Sequence, residues 1–279
     1  MSVLKLLSAA SGVGGESPDV DDVFSTFLYT GTGSNQTITN GIDLSGEDGL
    51  VILKNRDGTA HFHWIDTVRG ANKIIYTSLA NYSGDTIALI TGFNTDGFGI
   101  ASTASINASS NKHVSFTFRK ADKFFDLKSV SHTNGSTTTV DFSSLGTIGM
   151  GIAKRTDGNS NWFVQHRADT SKLILLDTTG AATTAESDFG IDGTNFRLDA
   201  NLASGTYIVY GFAHNDDDGE FGSSGDQDII KCGSYTGAAS SSSPTIDLGF
   251  EPQFVLTRRL NSTGNWIIQD NKRNGVNLT

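Results

Sequence analysis

Tryptophan occurs three times in the 279 residues, at Trp64, Trp162 and Trp266, at nearly equal spacing (162 − 64 = 98; 266 − 162 = 104). Each follows an apolar run that ends in a basic residue and a polar turn. The first copy reads Gly49-Leu-Val-Ile-Leu-Lys54-Asn-Arg56-Asp57-Gly58 and then His63-Trp64-Ile65. The second reads Gly149-Met-Gly-Ile-Ala-Lys154-Arg155-Thr-Asp157-Gly158 and then Asn161-Trp162-Phe163. The third reads Pro252-Gln-Phe-Val-Leu-Thr-Arg258-Arg259 and then Asn265-Trp266-Ile267. Apolar strand, Asn/Asp/Gly turn and second strand make a β-hairpin, repeated about every 100 residues.

The flanks repeat as well. An apolar-Asp-apolar step stands upstream at Ile42-Asp43-Leu44, Val140-Asp141-Phe142 and Ile246-Asp247-Leu248. Downstream, His113–Phe118 and Tyr207–Phe212 carry aromatics at alternate positions (Phe116 and Phe118, Tyr210 and Phe212), the period of a half-buried strand. The third copy has no such closing strand before Thr279. A unit without it has an unpaired edge, so residues beyond Thr279, or another element, are expected to complete it.

Thirty-two glycines against three prolines, with Thr, Ser and Asn throughout, disfavour long helices and suit short strands joined by turns. The predicted fold class is all-β: tandem antiparallel β-sandwich repeats, jelly-roll-like, of about 100 residues, the third incomplete. The predicted boundaries are a leader or anchoring arm at 1–26, repeats at 27–125 and 126–222, and a partial repeat at 223–279. The leader reads either as an arm that docks on a neighbour or as a frayed terminus.

Chemistry-bearing patterns are sparse. A net charge of −10 with no Lys/Arg cluster argues against nucleic acid. No run reaches the ~18–20 apolar residues of a membrane helix. A single cysteine, Cys232, excludes an intrachain disulfide and reads as a small buried hydrophobe. The acidic stretch Asn215–Glu220 offers Asp216 to Asp218 to a calcium ion, but it lacks EF-hand spacing and reads better as a solvated linker. His61 and His63 could start a zinc site, with no third ligand tied to them, and read better as a surface pair. Repeated acids Asp57/Asp157 and Asp96/Asp192 fall in predicted turns, where Asp bonds its own backbone. No catalytic residue, cofactor site or metal site is assigned. Trp64, Trp162 and Trp266 are either sugar-stacking residues or packing residues, and their apolar neighbours favour packing.

Tyr235-Thr-Gly237, Ile246–Leu256, Arg258-Arg259 and Gly264–Asp270 together resemble a repeated domain of tailed-phage virion proteins common in marine phages of cyanobacteria and other ocean bacteria. Asn40–Leu44, Leu53–Asp57, Asp66-Thr-Val-Arg-Gly70 and Phe116–Lys120 carry the same resemblance in the first copy. The leader Ser2–Gly12 is similar to starts of the same proteins. The second copy departs from it, with His166-Arg167 where Asp-x-x-Arg-Gly would stand. The resemblance implies a non-enzymatic virion protein made in the host cytoplasm, more a tail fibre or tail appendage than a capsid part. It implies an N-terminal attachment to other virion proteins, a homo-oligomer (a trimer by analogy) and a distal contact with a host glycan or protein. The alternative is a carbohydrate-binding, lectin-like array or adhesin using the three tryptophans; a polysaccharide hydrolase has no carboxylate that stands out.

Overall fold

The computed structural model describes residues 17–81, 89–238 and 244–273; most of the leader and the last six residues lie outside them. The chain is all-β and antiparallel, and its strands form sandwiches.

The first unit opens with a short helix, Val20–Val23, running directly into β1 (Phe24–Thr30), so the first strand begins within the stretch assigned to the leader. Then follow β2 (Gln36–Thr39), β3 (Gly49–Asn55), β4 (His63–Asp66), β5 (Ile75–Tyr76), β6 (Ile90–Asn94), β7 (Gly97–Ile100) and β8 (Lys112–Arg119). They form a large sheet in the order β1-β8-β3-β4-β5 and a small one in the order β2-β7-β6.

The second unit runs through β9 (Phe125–His132), β10 (Thr138–Asp141), β11 (Ile148–Arg155), β12 (Trp162–His166), β13 (Lys172–Leu175), β14 (Thr183–Thr184), β15 (Gly190–Asp192), β16 (Asn195–Leu198) and β17 (Gly205–Ala213). Its large sheet is β14-β13-β12-β11-β17-β9 and its small sheet β10-β16-β15. Strand for strand this is the first unit again, with β14 added at the edge. The third region contributes a hairpin, β18 (Phe254–Thr257) and β19 (Ile267–Asp270).

Alternation along the central strands explains the layering. In β3, Val51 and Leu53 face the small sheet of their own unit, packing with Ile38, Ile65 and Phe98. Leu50 and Ile52 face the other way, into a core shared with the second unit. In β17, Tyr207 and Val209 meet their own small sheet, whereas Ile208, Tyr210 and Phe212 enter the shared core. Each large sheet is therefore buried on both faces, and the two units stand back to back. A bulge between Ile148 and Met150 shifts the register in β11. Beyond it Gly151 lies under the Phe196 ring, where a Cβ would come within 2.2 Å of the aromatic carbons.

The shared core is mostly aromatic. Trp64 meets Trp162 edge-on at 5.3 Å and Tyr210 at 5.3 Å, while Phe118 lies 5.5 Å from Phe212 and 5.7 Å from Phe125. At ~1.5–3 kcal/mol for each large side chain fully buried, this core outweighs any single polar contact between the units. The described part of the N-terminal region packs onto the chain itself, the Gly222 N–H donating to the Pro18 carbonyl at 3.0 Å.

Candidate functional site: the junction between units

Strand register sets the equivalences among the copies. Leu50 lies opposite Asp66, Met150 opposite His166 and Phe254 opposite Asp270. Continuing each register to the strand end sets Lys54 opposite Phe62, Lys154 opposite Trp162 and Arg258 opposite Trp266. Trp162 and Trp266 therefore occupy one position, and in the first copy that position belongs to Phe62. Trp64 stands two residues further on. A two-residue step keeps a strand side chain on the same face, so Trp64 still enters the shared core.

These positions form a joint that is used twice. In the second unit, the Trp162 indole N–H donates to the Tyr76 carbonyl at 3.0 Å and the Leu79 carbonyl at 3.2 Å, both in the first unit. The fully buried Lys154 donates from Nζ to the Ala80 carbonyl at 3.0 Å, and the Ser160 N–H reaches that same carbonyl at 2.9 Å. In the third region, the Trp266 indole N–H donates to the Leu175 carbonyl of the second unit at 3.2 Å. Arg258 Nη2 donates to the Gly180 carbonyl and the Gly264 N–H to the Thr179 carbonyl. Donors at the same three positions thus hold the second and third copies onto the fifth strand and following loop of the copy before. Burial pulls the Lys154 amine down to about 8. Lys54 and Arg258 lie over the Phe62 and Trp266 rings at 5.9 and 5.8 Å, cation against aromatic face.

A second contact runs the opposite way. Asp66 is fully buried; it accepts from Arg69 Nε at 2.6 Å, from the Arg69 N–H at 2.8 Å and from the Tyr210 hydroxyl of the second unit at 2.7 Å. Burial drives the Tyr210 hydroxyl well above its ordinary range, which keeps it a donor. Asp270 and Arg273 rebuild the arrangement in the third region, and Arg273 lies 5.4 Å over the Phe116 ring of the first unit. Phe254 adds edge contacts with Phe116 at 5.1 Å and Phe24 at 5.8 Å. The third hairpin therefore touches both units, closing a ring of contacts around the shared core. In the second copy His166 stands in the aspartate position, accepts from the Ala168 N–H at 3.1 Å and is held neutral down to about 4 by burial.

The remaining sequence candidates fall elsewhere. Trp64 and Trp162 are buried and Trp266 half-buried against the shared core. Asp216 pairs with Lys231 and Asp218 with Lys123, each at 2.9 Å, while Asp228 accepts from the Asp217 and Gly219 N–H groups. Among the described residues no three His, Cys, Asp or Glu side chains gather as metal ligands. His61 bonds Ser78 at 2.6 Å, and His63 is buried against Tyr76, its pKa lowered to about 4 by burial. His63 is thus a core residue and not one of a surface pair. Asp43, Asp141 and Asp247 each accept from the backbone N–H two residues on, a shared turn device. Asp57 and Asp157 accept from the Lys112 and Thr206 N–H groups, pinning each turn to the start of the closing strand. The Cys232 residue is half-buried, but its sulfur lies inside against the Ala213 carbonyl, and burial raises the thiol to about 12.

A family model described as a domain of unknown function, DUF7483, matches residues 19–279, a span that takes in both units and the hairpin. The chain belongs to this family. No curated protein and no solved structure matches this DUF7483 chain. No helix among its described residues is long and apolar enough to cross a membrane.

Proposed function

We propose that this DUF7483 chain is a structural, non-enzymatic component of a phage particle, a tail fibre or related tail appendage attached through its N-terminal region and directed toward the host surface. The observation that carries this reading is the joint used twice. A part whose work is mechanical gains from copies held in one fixed relation by one set of contacts. The residues that recur do structural work: Asp43, Asp141 and Asp247 set turns, and Lys154, Trp162, Arg258 and Trp266 set the joint. The lectin-array alternative calls for three accessible indoles, and the burial of Trp64 and Trp162 weighs against it. A trimer of chains belongs to the same proposal, and light scattering on the purified chain measures it directly.

Immunogold electron microscopy with antibody to the whole chain, applied to intact particles of the source, tests the reading. Gold along the tail is the expected result. Gold over the head would make the protein a capsid component, and particles free of label would overturn the virion assignment.

A further inference from the structure

We propose that the free edge of β18 is an acceptor for a third closing strand, an extended segment carrying aromatic or large apolar side chains at alternate positions. In the two complete sheets the strand equivalent to β18 is flanked on both sides: β3 lies between β4 and β8, and β11 between β12 and β17. Among the described residues β18 pairs with β19 alone. Its sequence continues the same pattern, since Phe254 and Leu256 stand where Leu50 and Ile52, and Met150 and Ile152, stand in the other copies.

The register defines the occupant. Ile52 faces Phe116 and Leu50 faces Phe118; Ile152 faces Tyr210 and Met150 faces Phe212. An antiparallel strand on β18 would set its two aromatics opposite Leu256 and Phe254, pointing into the shared core beside Phe116 and Tyr210. Among the described residues both strands of this pattern are taken, β8 between β1 and β3 and β17 between β9 and β11, so the occupant is a third such strand. The outer face of the hairpin is open as well. Ile246 is 44% exposed although its counterparts Ile42 and Val140 are 0% and 2%, and Ile267 is 54% exposed. Main-chain pairing would supply affinity and the alternating pockets would supply selectivity, as in strand addition generally.

The test uses the full chain and a fluorescent peptide of residues 112–120, Lys-His-Val-Ser-Phe-Thr-Phe-Arg-Lys, with a control in which the apolar positions are moved by one. Saturable binding is expected, with the shifted peptide about tenfold weaker or worse because a one-residue slip turns every side chain to the wrong face. Amide exchange at residues 254–257 should slow when the first peptide is bound. Equal binding of the two peptides, or unchanged exchange at 254–257, would overturn the proposal. So would a dimer of the chain that already protects those amides without peptide.

Discussion

Trp162 and Lys154 show how much a single position contributes at the joint. The indole N–H of Trp162 serves two carbonyls of the first unit, so Trp162→Phe keeps most of the ring and removes one donor. A loss of about 1–2 kcal/mol in unfolding free energy is expected, and urea titration measures it. Trp266→Phe, at a half-buried site with one carbonyl partner, should cost less. Lys154 has a folded pKa of about 8 against an ordinary 10.5, so between those values the unfolded chain binds the extra proton and stability rises with pH. His63 and His166, both lowered to about 4 from 6.5, have the same sign. Their contribution is full above pH 6.5 and is lost as the pH falls toward 4. Unfolding free energy measured between pH 7 and 4 should decline, less steeply for His63→Phe; a flat profile would contradict the burial of these rings. The joint was only partly legible from sequence. Equal Trp spacing exposed the repeat, but Trp64 sits on the same strand face two residues from the true counterpart, Phe62, so spacing alone aligned the copies out of register.

At the scale of elements, each hairpin keeps its own register while its end reaches another copy. Asp66 satisfies Arg69 and Tyr210 together in a buried setting, so Asp66→Ala leaves a buried guanidinium without its counter-charge. About 3–5 kcal/mol should be lost. Asp270→Ala should cost less, since Arg273 is more exposed than Arg69. A double-mutant cycle of Asp66→Asn with Tyr210→Phe should return a coupling of about 0.5–3 kcal/mol, and additive effects would contradict contact between the copies. Asp-x-x-Arg was visible in the first copy, and its absence from the second at His166-Arg167 was visible too. Its partner was not, because Tyr210 lies 144 residues from Asp66 and no local pattern links them. Strand alternation put Phe116 with Phe118 and Tyr210 with Phe212 on one face, but the half-buried strands it implied are buried on both faces. It could not tell that the second face is covered by a neighbouring copy, since both faces of β3 and β17 are apolar.

At the scale of the molecule, the copies are not beads on a string. Leu50, Ile52, Trp64, Phe116 and Phe118 from one unit and Phe125, Ile152, Trp162, Tyr210 and Phe212 from the other make a single core, onto which Phe254, Trp266 and Ile268 of the hairpin pack. Neither large sheet can leave without exposing this aromatic surface to water. The all-β sandwich class expected from the sequence is the one observed, but the sequence of one repeat carries no information on whether it touches the next. Scanning calorimetry on the whole chain tests the fused arrangement most directly. One transition, with calorimetric and van 't Hoff enthalpies in agreement, is the result predicted for units that share a core. Two or more separable transitions, each unmoved by Trp162→Phe, would show that the units fold and melt alone and would contradict it.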